Sequence, residues 1–243
     1  MKKEIEFFEN FVKSYDLNIE ELQLKLLHTY RVVNYSKNIA NFLQLNKKQV
    51  DTAICSALFH DLGRFPQFSE YKTFSDSKSY DHGDKSYKIL KENNYKNKTV
   101  LKAVKYHNKY KLPNDLSEEE LLQCNIVRDA DKLDILHYKW KINKHKYKIS
   151  DDIINCFERK VLIPNSMVKN EVDLILRQLS FIFDINFDIS LDMIYSSNII
   201  DKNIDLVYKS CKDEKVFYIE NILDEYVAKR LGVKKYERIR KKI

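Results

Sequence analysis

Apolar residues recur along most of this chain at the three-and-four spacing of a helix, and the elements they predict run almost from end to end. Residues 7–15 read as a short helix and 19–45 as a long one, on which Leu24, His28, Arg31, Tyr35, Ile39 and Phe42 fall within about 80° of one another. This stripe would turn polar groups inward. Residues 47–62 repeat the pattern with Val50, Ile54, Ala57, Leu58 and Asp61 on one face and Gly63 placed to end the helix. A carboxylate in a core position at a helix C-terminus is disfavoured by the helix dipole, so Asp61 requires a positive neighbour. Residues 65–79 mix aromatics, Ser, Lys and one Pro and read as an irregular loop with a single helical turn.

Asp81 and His82 open a helix to about residue 93, and Thr99 begins another that reaches His107. After a turn at 113–117, Ser117-x-x-Glu120 has the form of a capping box that starts a long helix through about residue 144. Residues 146–170 carry the weakest pattern, with a break at 163–166. Helices follow at 171–183, at 191–208 with an interruption near Asn198, and at 216–231 with Gly232 as the stop. No internal repeat is present, so the expected division is a helical portion over 1–150 and a C-terminal helical portion over 151–243 packed on it as one structural unit.

Composition supports the helical reading. The 243 residues include 3 Gly and 3 Pro, where average usage would give about seventeen and twelve. Sandwiches, barrels and doubly wound sheets need far more turns. A 33% charged and 44% hydrophobic chain is also neither disordered nor low-complexity. No apolar run approaches the roughly 18 residues of a membrane span. The N-terminus has carboxylates where a signal peptide is apolar, so the cytoplasm is the expected location. The four cysteines, Cys55, Cys124, Cys156 and Cys211, are widely spaced within apolar patterns and read as reduced core thiols. Charge is local: residues 229–243 hold eight Lys or Arg against Glu237, which equals the whole net charge of +7.

The chemically distinctive set is His28, His60-Asp61, His82, His107 and the run Asp129-Ala130-Asp131-Lys132-Leu133-Asp134. Imidazole and carboxylate oxygen are ligands for Mn, Fe, Ni, Co, Zn or Mg, and an adjacent His-Asp pair supplies two donors from one helix end. A buried carboxylate is costly unless it is paired or bound to metal. Arg31 as the partner of Asp61 would satisfy that need without any ion.

The order His28, His60-Asp61 and a later Asp in an Ala-Asp-Lys-Leu context resembles the HD-domain superfamily of metal-dependent phosphohydrolases. The run His60-Asp61-Leu62-Gly63-Arg64-Phe65-Pro66-Gln67-Phe68, with Thr73-Phe74-Ser75-Asp76 and Ser79-Tyr80-Asp81-His82-Gly83 behind it, is similar to a branch of uncharacterised bacterial HD hydrolases. The resemblance spans about residues 24–137, and more faintly 179–193. It implies an all-α HD-type helical bundle with additional C-terminal helices, in which His28, His60, Asp61 and a late Asp hold one divalent metal. Asp129 and Asp131 point about 160° apart on a helix and do not reach the same ion. Asp131 occupies the family's Ala-Asp-x-Leu position and is the expected ligand, with Asp129 and Asp134 behind the ligands. His82 and His107 match positions where some members carry extra histidines, which ligate a second metal or line the pocket; one ion is the expectation and two are possible. Exposed histidines at helix ends are the bland alternative for this pair.

Those ligands imply a metal-activated water that attacks phosphorus. Arg31, Arg64 and Lys132 are the candidate phosphate contacts, each with a rival role as a salt-bridge partner. The expected substrate is a phosphomonoester or phosphodiester of a nucleotide or other small phosphorylated molecule. Two alternatives stay open: a catalytically idle, nucleotide-binding regulator, and a basic helical nucleic-acid-binding protein with a structural metal. The cations and aromatics of 139–148 and the basic tail would serve the last, although a solvated helix face is the plainer reading. No Gly-rich phosphate loop, nucleophile elbow, dinucleotide fingerprint or Gly-Tyr-Pro signature is present.

Overall fold

The computed structural model describes residues 1–138, 140 and 147–232, all helix and connecting segments without a strand. Residues 139 and 141–146 of the basic segment 139–148, His145 among them, and the tail beyond 232 lie outside the described residues. The chain divides into two compact units, Met1–Asp134 and Ile135–Ile243, with the division at Asp134 rather than near residue 150.

The first unit contains α1 (Lys2–Val12), α2 (Glu20–Phe42), α3 (Lys47–Phe59), α4 (Arg64–Tyr71), α5 (His82–Glu92), α6 (Lys98–Tyr106) and most of α7 (Glu118–Leu136). Helix starts follow the capping chemistry of the sequence. Asn46 and Gln49 make a reciprocal capping box on α3, Asp81 caps α5, Asn97 caps α6, and Ser117 and Glu120 bond each other's backbone N–H at α7. Helices α2 and α3 pack closely, α3 packs on α6, and α6 on α5. Their core is apolar and aromatic: Phe8, Leu22, Leu58, Phe59, Leu62, Phe65, Leu90 and Val104 are buried together. Phe59 meets Phe7 and Tyr95 edge to face at ring distances of 5.7 and 5.4 Å.

Four expectations change. On α2 the buried face is Leu22, His28, Thr29, Val32, Ser36, Ile39 and Ala40, while Leu24, Arg31 and Phe42 are exposed. His28 therefore sits at the edge of the core and not in the middle of a stripe. Residues 64–71 form a regular helix, since Pro66 falls in its first turn, where a missing N–H breaks no helical bond. Helix α7 ends at Leu136. Gly63 has ordinary right-handed dihedrals (φ −64°, ψ −18°), so it is not a left-handed stop. A Cβ there would meet the His82 carbonyl oxygen at 2.5 Å, and the Gly63 N–H donates to Ser86 Oγ at 2.8 Å. Its missing side chain lets α5 press against the α3–α4 turn. Gly83 does the same between α5 and α6, where a Cβ would lie 2.5 Å from Asn108 Oδ1.

The second unit contains the end of α7, α8 (Asp151–Glu158), α9 (Glu171–Ser180), α10 (Asp188–Ser196), α11 (Ile199–Ser210) and α12 (Lys215–Leu231). Asn198 adopts φ 54° between α10 and α11, and Gly232 φ 65° after α12, so both predicted breaks coincide with left-handed residues. All four cysteines are buried and free. Among the described residues no helix is long and apolar enough to cross a membrane.

Candidate metal centre

Four histidines and two aspartates of the first unit converge in its interior. His60 and His107 each follow the last residue of a helix, α3 and α6, where carbonyls lack an intrahelical partner. Each ring uses one: Nδ1 lies 2.6 Å from Ala57 O for His60 and 2.8 Å from Val104 O for His107. A carbonyl only accepts, so these Nδ1 atoms carry the proton and donate. Burial lowers the pKa of both histidines, aided at His107 by the neighbouring His82 and His60 rings. Burial thus favours the neutral form of both rings, whose Nε2 atoms face the cluster.

His28 on α2 and His82 at the start of α5 are held by carboxylates instead. His28 Nδ1 lies 2.7 Å from Asp134 Oδ2, and His82 Nδ1 2.7 Å from Asp76 Oδ2. Asp134 is in turn gripped by Arg31 through Nε at 2.5 Å and Nη2 at 3.0 Å. Asp76 receives Arg64 Nη1 at 2.8 Å and Gln67 Nε2 at 3.0 Å. Ring orientation is therefore set from outside for all four histidines, the arrangement that ligating imidazoles require.

Asp61 stands between two pairs of Nε2 atoms. Its Oδ2 is 3.5 Å from both His28 and His60, which are 3.3 Å from each other. Its Oδ1 is 3.5 Å from His82 and 3.8 Å from His107, whose Nε2 atoms are 3.0 Å apart. Asp131 Oδ1 joins the first pair at 3.1 Å from His28 and 3.8 Å from His60. Donors about 2.1 Å from a shared ion stand about 3.0 Å apart in an octahedron and 3.4 Å in a tetrahedron, so these spacings fit a divalent cation. Among the described residues, two combinations bring their ligand atoms within 4.8 Å of one another and so could hold an ion: His28, His60 and Asp131, and His60, Asp61 and His107.

The chemistry of the donor set points the same way. Facing nitrogens at these distances need a proton or a cation between them. In the metal-free chain His28 takes the proton: burial and Lys25 act against its charge, but hydrogen bonds to Asp131, Asp134 and Asp61 raise its pKa from 6.5 to about 10. Against the cost of burial, Lys25 and charged His28 hold Asp61 well below the usual carboxylate range, and His28 does the same for Asp131.

The family model of the HD domain matches residues 26–136. This stretch of the chain is an HD domain. HD domains are generally metal-dependent hydrolases, and every residue of the two histidine pairs, with Asp61, Asp131 and Asp134, lies inside the matched stretch. Comparison with curated proteins and with solved structures returned no match.

Within the HD domain the structure brings His28, His60, Asp61, Asp131, His82 and His107 together. The last two are 5% and 3% exposed, which removes their reading as surface histidines. Asp129 is buried two residues from Asp131 and is absent from both ligating combinations. Arg31 binds Asp134 and not Asp61; Asp61 is met by Lys25, whose Nζ is 2.6 Å from Oδ2, and at longer range by Arg64, whose Nε is 3.6 Å from Oδ1. Arg64 spends Nη1 on Asp76, Gln67 and the Phe74 carbonyl, and Lys132 is buried with Nζ 3.3 Å from Arg128 O. Sequence reasoning missed Lys25, Asp76, Gln67 and Ser86. Ser86 Oγ lies 2.8 Å from the carbonyls of both His60 and His82 and so ties the two histidine segments together. Lys25 was findable as the cation one turn before His28, and Asp76 as the carboxylate of the quoted Thr73–Asp76 run. A depression of about 450 Å³ beside Met1, Asp51, Cys55 and Tyr95 is lined by none of these groups.

Proposed function

We propose that this HD domain is a metal-dependent phosphohydrolase that cleaves a phosphomonoester or phosphodiester of a nucleotide or other small phosphorylated substrate. The observation that carries the reading is Asp61, buried with one oxygen toward each of two histidine pairs whose outer nitrogens are all fixed. His28, His60, Asp61 and Asp131 would hold one divalent ion, and His82 and His107 with the other Asp61 oxygen would hold a second. When bound, such an ion supplies a water of lowered pKa and polarises a phosphoryl oxygen. Asp134 and Asp76 keep the His28 and His82 rings from turning. If the second group stays metal-free, His82 and His107, whose Nε2 atoms face each other at 3.0 Å, would line the cluster as proton-transfer groups.

Asp61, Asp76, Asp131 and Asp134 are matched in number by Lys25, Arg31, Arg64 and charged His28, before any charge on the His82 and His107 pair is counted. A divalent ion that displaces the His28 proton leaves the group more positive, which favours an anionic substrate. The test is to titrate the purified chain with Mn, Ni, Co and Zn and assay nitrophenyl phosphates and a nucleotide panel. Metal-dependent hydrolysis that disappears in Asp61→Ala supports the reading; hydrolysis and metal content unchanged in that variant would overturn it.

A further inference from the structure

Resting on that reading, we infer that Lys25 is the phosphoryl contact of the site, the side chain that binds a non-ester oxygen of the substrate phosphate. Lys25 lies on α2 one turn before His28 and just outside the matched HD stretch. Its ammonium is 2.6 Å from Asp61 Oδ2, the oxygen that faces His28 and His60. An ammonium has three donors, and this one uses a single donor on Asp61 while its cationic face rests 5.6 Å from the centre of the Phe74 ring. The side chain is 19% exposed where that of Asp61 is 3% exposed, so Lys25 forms the solvent edge of a buried carboxylate.

Among the described residues no other Lys or Arg competes on the Oδ2 side of Asp61; Arg64 approaches the opposite oxygen, Oδ1, with its Nε at 3.6 Å. Arg31 is bound through two nitrogens to Asp134, Arg64 through Nη1 to three acceptors, and Lys132 is buried. A phosphoryl oxygen arriving beside Asp61 Oδ2 therefore meets the free donors of Lys25 first, and a charge-assisted N–H···O⁻ bond in this partly desolvated place is strong.

The experiment is calorimetric titration of inorganic phosphate into the Mn-loaded full chain, its Lys25→Met form and its Lys25→Arg form, with Mn content measured in each. Phosphate binding should weaken about tenfold or more in Lys25→Met with Mn content unchanged, and recover in large part in Lys25→Arg. Unchanged phosphate affinity in Lys25→Met overturns the inference, as does absence of phosphate binding by the wild-type chain. Loss of Mn together with phosphate overturns it too, because Lys25 would then act by positioning Asp61. The two readings fail separately: Lys25-dependent phosphate binding without ester hydrolysis sinks the enzymatic reading alone, whereas ester hydrolysis by Lys25→Met at wild-type kcat/KM sinks this inference alone.

Discussion

On one side of Asp61, His28 and His60 share their space with a second carboxylate, Asp131; on the other, His82 and His107 meet the remaining Asp61 oxygen, at 3.5 and 3.8 Å. Both halves are built by one rule. Each combines a histidine at a helix C-terminus, held by a backbone carbonyl, with a histidine held by a carboxylate that is itself gripped by an arginine. What differs is anionic charge: the first half has two carboxylates and the second shares one. A divalent cation should therefore be held more tightly in the first half, because each added carboxylate strengthens binding of a hard ion.

The largest effects come from removing the shared group. Asp61→Asn should strip both halves, with metal binding lost and any hydrolysis reduced by about 10³-fold or more. Asp131→Asn should empty only the first half, and a metal titration that shows equal losses in the two variants would break the distinction. Next come the carboxylates behind the histidines. Asp134→Asn should weaken the tighter ion about 10- to 100-fold by releasing the His28 ring, whereas Asp76→Asn, behind His82, should leave that ion within a few-fold of wild type.

The pH dependence follows from His28, whose folded pKa is raised to about 10 from 6.5. In the metal-free chain its charge contributes stability that is fully present below about pH 6.5 and lost as pH rises through about 10. Metal binding needs the neutral ring, so between those values each ion entering the first half must expel a proton. Apparent affinity should rise toward tenfold per pH unit across this window, and calorimetry in buffers of different ionisation heat should detect the released proton. Affinity flat from pH 6.5 to 9 would contradict this. The smallest effect is structural: Gly63→Ala, with its Cβ 2.5 Å from His82 O, should cost about 1 to 3 kcal/mol in thermal or denaturant unfolding. It should also disturb the His82 half more than the His28 half.

Much of this centre was legible because its residues are scarce. Six histidines in 243 residues make the ordered series His28, His60-Asp61, His82, His107 conspicuous, and helix geometry separates Asp131 from Asp129. Lys25 was hidden for the opposite reason. It is one of 43 Lys and Arg, and only tertiary packing decides that it, and not Arg31, meets Asp61. The phase of α2 was misread because Leu24 and Phe42 are apolar but exposed, and a stripe fitted through them rotates away from the buried face of Val32, Ser36 and Ile39. Helix α4 was misread because Pro66 was taken as a breaker, although in a first turn it is compatible with helix. Two of the three glycines directly follow residues of the quoted motifs, and the physical reason is contact: Gly63 and Gly83 admit neighbouring atoms that any side chain would displace.

Elemental analysis of the purified full chain and of its His28→Ala and His107→Ala forms, after exposure to Mn, Ni, Co or Zn and desalting, tests the central claim most directly. The wild-type chain should retain at least one divalent ion per molecule, His107→Ala should keep the tighter ion, and His28→Ala should lose it. A wild-type chain that retains no metal, or a His28→Ala form that retains as much as wild type, would contradict the account.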